Sequence, residues 1–362
     1  MDKRVSVCRG CLLGLAVGDA MGYTVDEKSW EEIQQDYGPN GLLGYDLVNG
    51  QAAASAYTQV AAYVSNGLLL GITRGKPEQY IRYIHLSLRE WARAQYFPRD
   101  PEKSWCWVAK IQQMRVRKCK DSRMLDALRM ETAPTMEKPI NRASSTGSLP
   151  GALVIGLACN DKGMPRSLAA SLGAQTVALT HGNPETFLCG SVLAETIASI
   201  GENPDLPLQE HYKKAVETML ARFAERFPQA QGLADRLLRT IHLAEQENCD
   251  HREQMEKFQC DTAEQCLCGA MYATLVCGND FDGAMILSVN HSGRSGAVGA
   301  ITGGILGALM GAEALPDFYL ECLESAGVLE TLASDLALGS PTFGLFDDDW
   351  DQKYVQGIPA GI

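Results

Sequence analysis

Apolar residues recur every three or four positions along much of the chain, the spacing of residues that share one face of an α-helix. The clearest segments are TQVAAYVSNGLLLGI (58–72), PEQYIRYIHLSLREWARAQ (77–95), ETFLCGSVLAETIASI (185–200) and ADRLLRTIHLAEQ (234–246). Alternation with a period of two, which is typical of strands, is scarce. The pattern predicts an all-α fold whose helices have ordinary lengths and are joined by short connections.

Proline and glycine mark where these helices are expected to begin and end. Pro77 and Pro184, each followed by an acidic residue, predict helix starts. Glycine- and proline-rich breaks are predicted at 38–41, 201–207 and 339–341.

Two series of glycines are spaced four residues apart, so each series follows one face of a helix. A glycine inside a helix costs about 1 kcal/mol relative to alanine, so a close approach of another backbone or a ligand must offset that cost. We predict that the two helices lie centrally and pack against each other. The glycines are Gly10, Gly14, Gly18 and Gly22, and Gly299, Gly303, Gly307 and Gly311.

Composition indicates a globular protein with a sizeable core, because 46% of the 362 residues are hydrophobic and 21% are charged. No linker divides the chain, so we predict a single domain over 1–362 with a C-terminal extension at 340–362. A net charge of −12 argues against nucleic acid and anionic membranes as partners. The densest basic group is predicted to be solvated, with a docking patch as the alternative, and comprises Arg115, Arg117, Lys118, Lys120 and Arg123.

The twelve cysteines are dispersed, and the start MDKRVSVCRG is too polar for a secretory signal, so we expect a reducing cytoplasm and no disulfides. The close pairs Cys266/Cys268 and Cys249/His251 lack the second pair that is typical of zinc sites.

The uncharged segment 295–312 is just long enough to span a bilayer, but its many glycines favour a buried helix. The acidic tail FDDDWD (346–351) is predicted to be solvated, because it lacks the spacing of a calcium loop.

Four segments together carry a resemblance to a known family. They are RGCLLGLAVGDAMGYTVDE (9–27), SAYTQVAAYVSNGLL (55–69), LTHGNPETF (179–187) and VNHSGRSGAVGAITGGILGALMGAEALP (289–316). In this order, the segments resemble those of the ADP-ribosylglycohydrolase family, over about residues 5–340. The resemblance implies a compact orthogonal bundle of many helices.

Members of that family cleave the N- or O-glycosidic bond between ADP-ribose and an arginine, serine or other acceptor. They use two magnesium or manganese ions, which require hard oxygen ligands. One ligand set is a Thr-Asp-Asp-Thr motif, where this chain has Ser55, Ala56, Tyr57 and Thr58. The other is a Gly-Gly-Asp-Thr-Asp-Thr motif, where this chain has Ser292, Gly293, Arg294, Ser295, Gly296 and Ala297.

Both carboxylates of each motif are therefore absent, and we expect no metal cofactor. Thr146 and Gly147 also stand where the family has Met and Arg, whereas the loop 180–182, which borders the ribose and phosphates in relatives, is retained. The resemblance implies a set of residues that contact the ligand. For Asp19, one of them, a structural capping role is favoured instead. The set is Asp19, Thr58, Gln59, His181, Gly182, Asn290, Ser292, Gly293, Arg294 and Ser295.

Several side chains allow two interpretations. His181 is either a histidine satisfied within the fold or a ligand contact. Arg294 offers forked donors to a phosphate in place of the metals, or it is a surface arginine, or it pairs internally with Asp19 or Asp26. Asp26, one methylene shorter than the family's usual glutamate, or Glu27 could act as a general base in a closed pocket.

Three functions follow. The leading hypothesis is a catalytically degenerate member that binds ADP-ribose, a nucleotide or a modified side chain. The first alternative is a hydrolase with a metal-independent mechanism, in which Asp26 or Glu27 is the base and Arg294 supplies positive charge. The second is a protein–protein interaction module without a small ligand. The cleft is expected to be either open and basic, or filled by side chains such as Tyr57.

Overall fold

The computed structural model describes residues 2–97, 100–160, 163–247, 249–341, 347–356 and 358. Within these residues the regular elements are eighteen α-helices and five short 3-10 turns, and extended backbone pairs only in isolated bridges. The prediction of an all-α chain is confirmed.

The first half of the chain forms nine helices. They are α1 (Lys3–Val25), α2 (Trp30–Tyr37), α3 (Ala56–Arg74), α4 (Tyr80–Tyr96), α5 (Gln112–Arg115), α6 (Ser122–Arg129), α7 (Gly151–Leu157), α8 (Ala169–Ala178) and α9 (Pro184–Glu202).

The second half adds nine more: α10 (Leu208–Phe223), α11 (Gln229–Ala244), α12 (His251–Phe258), α13 (Ala263–Cys277), α14 (Phe281–Val289), α15 (Ser295–Met310), α16 (Asp317–Leu320), α17 (Ala326–Leu338) and α18 (Asp348–Tyr354). The 3-10 turns are Pro77–Gln79, Pro101–Lys103, Trp107–Lys110, Arg166–Leu168 and Ala312–Ala314.

The helix starts follow the sequence signals closely. Pro184 is the first residue of α9, and the Asn183 side chain accepts a hydrogen bond from a backbone N–H of its first turn. Pro77 instead opens a 3-10 turn that leads directly into α4, so the predicted start is displaced by three residues. Ser29 and Glu32 close the start of α2 with a capping box that the sequence analysis did not identify.

The two glycine-striped helices, α1 and α15, cross at the centre of the core and touch along their glycine faces. A Cβ atom added at Gly14 would lie 2.2 Å from the carbonyl oxygen of Gly303, and one added at Gly18 would lie 1.9 Å from that of Gly299. No side chain fits into such gaps, because van der Waals contact needs well over 3 Å. The predicted pairing of the two helices is confirmed.

Helix α1 is also long and apolar enough to cross a membrane by length and composition, and it is the one described helix that meets this test. Core helices pass the same test, and 78% of its apolar window is buried inside the protein. The neighbouring helices α14 and α17 pack against it.

Asp347, Asp348 and Asp349 of the C-terminal segment are exposed, as predicted for 346–351, but Trp350 within the same segment is buried. Asp347 caps α18, whose Trp350 and Tyr354 are buried against the core. Lys353 Nζ lies 2.7 Å from Asp335 Oδ2, and this ion pair joins α18 to α17. Trp350 and Tyr354 are four residues apart, so they share one face of this short helix. Residues 342–346, 357 and 359–362 of the predicted extension lie outside the described residues.

Candidate functional site

A narrow cleft lies where the C-terminal end of α1 meets the N-terminal ends of α3 and α15. Its cavity volume is about 60 Å³, whereas pockets for drug-sized ligands measure about 300–1,000 Å³. The cleft therefore has room for a small group but not for a dinucleotide-sized ligand. It is lined by Tyr23, Asp26, Ser55, Ala56, Tyr57, Lys118, Cys119, Lys120, Asp121, Met124, Ser145, Thr146, Gly147 and Arg294.

Asp19 lies behind this cleft and holds the start of α3. Its side chain is fully buried, and its Oδ2 accepts hydrogen bonds from Ser55 N, at 2.9 Å, and from Thr58 N, at 3.0 Å. The hydroxyls of the same two residues donate to the carboxylate as well. Burial raises the pKa of Asp19, although these hydrogen bonds act to lower it. The contacts give Asp19 and Thr58 a structural role in the frame of the site.

Tyr57 fills part of the space between α3 and α15. Its hydroxyl lies 2.8 Å from Thr146 Oγ1, and a Cβ added at Gly296 would lie 3.4 Å from its ring. Burial raises the pKa of the Tyr57 hydroxyl well above its usual value. Neighbouring Ala56 presents only a methyl group to the cleft. Of the two arrangements expected for the cleft, the structure has the one in which side chains fill it.

The N-terminus of α15 is occupied by a carboxylate of the chain itself. Asp26 Oδ1 accepts a hydrogen bond from Gly296 N at 3.1 Å, and negative charge is favourable at this end of a helix. Ser295 N and Ala297 N each donate at 3.0 Å to carbonyls of the preceding turn. Burial raises the pKa of Asp26 to about 6, opposed by the Gly296 N–H and by the charge of Arg294.

Arg294 lines the cleft and forms an ion pair with Glu27, with 2.8 Å between Arg294 Nη1 and Glu27 Oε1. The alternative of an internal partner named Asp19 or Asp26; the ion pair is instead with Glu27, the residue after Asp26, whose charge also acts on Arg294. Lys120 Nζ lies 3.7 Å from the other oxygen of Glu27. Arg294 Nε is buried and has no hydrogen-bond acceptor among the described residues. The Nε–H group of the guanidinium is therefore an unsatisfied buried donor.

Gln59, another predicted ligand contact, holds the polypeptide that forms the opposite wall. Its side chain is 1% exposed, and its Nε2 donates to Gln113 O at 2.8 Å and Val116 O at 2.9 Å. Its Oε1 accepts a hydrogen bond from Trp91 Nε1 at 3.0 Å. These bonds fix the irregular segment 116–121, the part of the predicted basic group that brings Lys118 and Lys120 to the cleft.

His181 is fully buried beneath the cleft, in a hydrogen-bonded cluster that the sequence analysis did not identify. Its Nε2 lies 3.0 Å from Ser145 Oγ and 3.4 Å from Asp121 Oδ2, and its Nδ1 lies 2.8 Å from Thr180 Oγ1. Burial acts to raise the pKa of Asp121, but hydrogen bonds from His181 and Ser145 outweigh it and lower the pKa below its usual range. Asp121 is therefore a stable carboxylate at the cleft wall.

Gly147 makes room for that histidine. A Cβ added at Gly147 would lie 1.8 Å from His181 Cε1, and the residue has a φ of 29°. The His181 ring can therefore lie in this position because residue 147 has no side chain. Asp121 also caps α6, because its side chain accepts hydrogen bonds from the backbone of the first turn. This cap is the only role of Asp121 that the sequence could have indicated.

The remaining predicted contacts have their polar groups in bonds within the fold. Asn290 accepts a hydrogen bond from Leu42 N at 2.7 Å and donates to Leu42 O at 2.9 Å. Ser292 Oγ accepts one from Trp30 N at 2.9 Å. The others placed in this frame are Gly182, Gly293 and Ser295.

The carboxyl groups at the cleft have partners within the fold, because Asp26 accepts from Gly296 N, Asp121 lies against the His181 ring, and Glu27 pairs with Arg294. Among the residues that the structure describes, no group of three or more His, Cys, Asp and Glu side chains is arranged to hold a metal ion. The hydroxyls of Ser55 and Thr58 are directed at Asp19.

Comparison with known proteins identifies the fold and the family. A family model described as ADP-ribosylglycohydrolase matches residues 2–342. A solved structure described as "ADP-ribosylglycohydrolase-related protein complex" is 22% identical, with a TM-score of 0.53, and the alignment covers 93% of this chain and 98% of that one. A search of the curated proteins found no match. The similar structure shows the expected helical fold, and the family model, which matches nearly the whole chain, shows that this protein belongs to the ADP-ribosylglycohydrolase family.

Proposed function

We propose that this protein is a non-hydrolysing member of its family that binds the anionic part of an ADP-ribose-related ligand through Arg294 and Lys120. The observation that carries this proposal is the position of Arg294, whose guanidinium lines the cleft and keeps a buried Nε–H without an acceptor. A buried donor left unpaired costs about 1–3 kcal/mol. A phosphate oxygen placed there would recover that free energy.

The residues at the positions of the family's metal ligands support the proposal that this protein does not hydrolyse its ligand. Two divalent ions need several oxygen ligands each, at about 2.0–2.1 Å for magnesium. The equivalent positions carry the methyl of Ala56, the ring of Tyr57, the cation Arg294 and the hydrogen of Gly296, so these residues do not fit a dinuclear centre. A crystal soaked in manganese is expected to show no anomalous peak between Thr58 and Arg294, and two strong peaks there would contradict the proposal.

The size of the cleft determines what binding requires. A cavity of about 60 Å³ has room for roughly two water molecules. A phosphate group is of comparable size, but the adenosine and ribose of ADP-ribose need further space. Tyr57 and the segment 116–121 are the walls that would have to move. An interaction module without a small ligand, the other non-enzymatic alternative, would leave these walls in place.

Calorimetric titration of ADP-ribose into wild type and Arg294→Ala tests the proposal. Loss of a charge-assisted contact is expected to weaken binding by about 1.5–3 kcal/mol, a factor of roughly ten to a hundred. Arg239, which is exposed and far along the chain in α11, supplies a control: Arg239→Ala removes the same charge and should bind like wild type. Added salt should weaken wild type more than Arg294→Ala. Tight binding that survives Arg294→Ala, or no binding at all, would contradict the proposal.

A second candidate is a metal-independent hydrolase, favoured by the two carboxyl groups that line the cleft. Burial raises the pKa of Asp26 to about 6, whereas the pKa of Asp121 is lowered by its hydrogen bonds. Glycosidases use such a pair, one protonated as an acid and one ionised. Release of ADP-ribose from modified arginine or serine that persists in a chelator and disappears in Asp26→Asn would establish this activity. Turnover that a chelator abolishes would show that metal ligands have been misplaced in both candidates.

A further inference from the structure

We propose that Glu27 is an internal competitor for the anion site, so that the ligand must displace its carboxylate from Arg294 and Lys120. This inference rests on the proposed function. The two cations that would receive a phosphate are both paired with this one side chain, at 2.8 Å and 3.7 Å. A carboxylate of the chain thus already neutralises both cations that the anionic group of the ligand would contact.

The backbone of Glu27 is fixed against the same loop that carries Arg294. Its N–H donates to Gly293 O at 2.9 Å, and its φ of 67° is in the left-handed region, which side-chain-bearing residues rarely adopt. Together with the bond from Gly296 N to Asp26, this contact joins the end of α1 to the start of α15. The strained conformation directs the carboxylate across the rim of the cleft to both cations.

The side chain, in contrast to the backbone, is free to leave. The Glu27 side chain is 45% exposed, and those of Arg294 and Lys120 are 32% and 64% exposed. Rotation about its side-chain bonds would release both cations without breaking a backbone hydrogen bond. Because a partly exposed ion pair is weak, a diphosphate, which carries two negative charges against the one of a carboxylate, can replace it.

The competitor role predicts that removing the charge of Glu27 strengthens binding. The side-chain exchange Glu27→Gln keeps the size and should lower the dissociation constant for ADP-ribose by about three- to tenfold, a range that release of two partly exposed ion pairs allows. The control is Glu31→Gln, which makes the same change of net charge at an exposed residue of α2 with no ion pair among the described residues. Its dissociation constant should stay within about twofold of wild type, because long-range effects are screened by salt.

Calorimetry with ADP-ribose on wild type, both glutamine variants and the double variant Glu27→Gln/Arg294→Ala separates the two proposals. The gain from Glu27→Gln should be smaller in the Arg294→Ala background, since Lys120 is then the only cation that the exchange releases. If wild type and Glu27→Gln bind equally well, the competitor role is wrong while the anion site stands. If Glu31→Gln strengthens binding as much as Glu27→Gln, the gain comes from the change of net charge, and the competitor role is wrong. If none of the proteins binds ADP-ribose, the proposed function fails and the competitor role fails with it.

Discussion

The pair formed by α1 and α15 and the cleft at one end of that pair differ in what maintains them. Along the pair, backbone meets backbone through glycines, and nothing but hydrogen fits between Gly14 and Gly303. At the cleft, polar groups from distant parts of the chain satisfy one another, as in the hydrogen bond that the Gly296 backbone N–H donates to the Asp26 carboxylate. The helix pair depends on close backbone packing, which leaves no space for an additional methyl group. The cleft depends on hydrogen bonds and charges, which single substitutions can rearrange.

The largest effect is expected where the helix pair is tightest. Gly14→Ala would place a methyl group 2.2 Å from a carbonyl oxygen of Gly303, and overpacking of this kind should destabilise the fold by about 3 kcal/mol or more. Gly327→Ala is the matched control, because a Cβ there meets nothing within 4 Å. Its free energy of unfolding should be unchanged or higher by up to about 1 kcal/mol. Urea denaturation measures both, and equal stability of the two variants would contradict the backbone contact.

Asp19 connects the two regions, since it lies on α1 and caps α3. Asp19→Ala leaves the backbone N–H groups of Ser55 and Thr58 without their acceptor. Unpaired buried donors should lower the free energy of unfolding by about 2–3 kcal/mol. Asp100→Ala removes an exposed cap and should cost about 1 kcal/mol or less. If Asp19 serves mainly to contact a ligand, Asp19→Ala would instead lose affinity at unchanged stability.

The contrast between the regions also explains what the sequence could predict. The spacing of glycines four residues apart is visible within a single segment and indicates a close helix contact, so the pairing of α1 and α15 was predictable from the sequence. The role of Gln59 was not, because its partners Gln113 and Val116 are remote backbone groups. Asp121 was missed for the same reason: its link to His181 depends on how α6 packs. The lack of carboxylates at 55–58 and 292–297 was visible in the sequence, but whether the space between these segments is open or filled depends on tertiary contacts such as Tyr57 with Thr146.

A pH dependence should distinguish the buried carboxyl of the cleft from exposed ones. Burial raises the pKa of Asp26 from an ordinary value near 3.8 to about 6. The folded state therefore binds more protons than the unfolded state between these values, so its stabilisation is complete below about pH 4 and is lost as the pH rises through 6. The stability of wild type relative to Asp26→Asn should fall by about 2 kcal/mol between pH 4 and pH 7.5.

Asp250 provides the opposite case for that measurement. The pKa of its carboxyl is lowered, first by the hydrogen bond from the Glu253 backbone. Its stabilisation is lost only as the pH falls below about 4, so wild type and Asp250→Asn should differ by a constant amount over the same range. A constant difference for Asp26→Asn as well would mean that Asp26 is solvated and that the cleft is more open than its 60 Å³ cavity indicates.

The smallest expected effect concerns the hydrogen bond by which side chains close the cleft. Tyr57→Phe and Thr146→Val each remove one partner of the 2.8 Å contact between Tyr57 Oη and Thr146 Oγ1 while keeping most of the volume. Each should lower the free energy of unfolding by about 1 kcal/mol, and the double variant should be little less stable than either single variant. The resulting coupling of about 0.5–1.5 kcal/mol would show that the two hydroxyls meet in solution. Strictly additive effects would mean that they do not, and that the Tyr57 ring is free to turn away and admit a ligand.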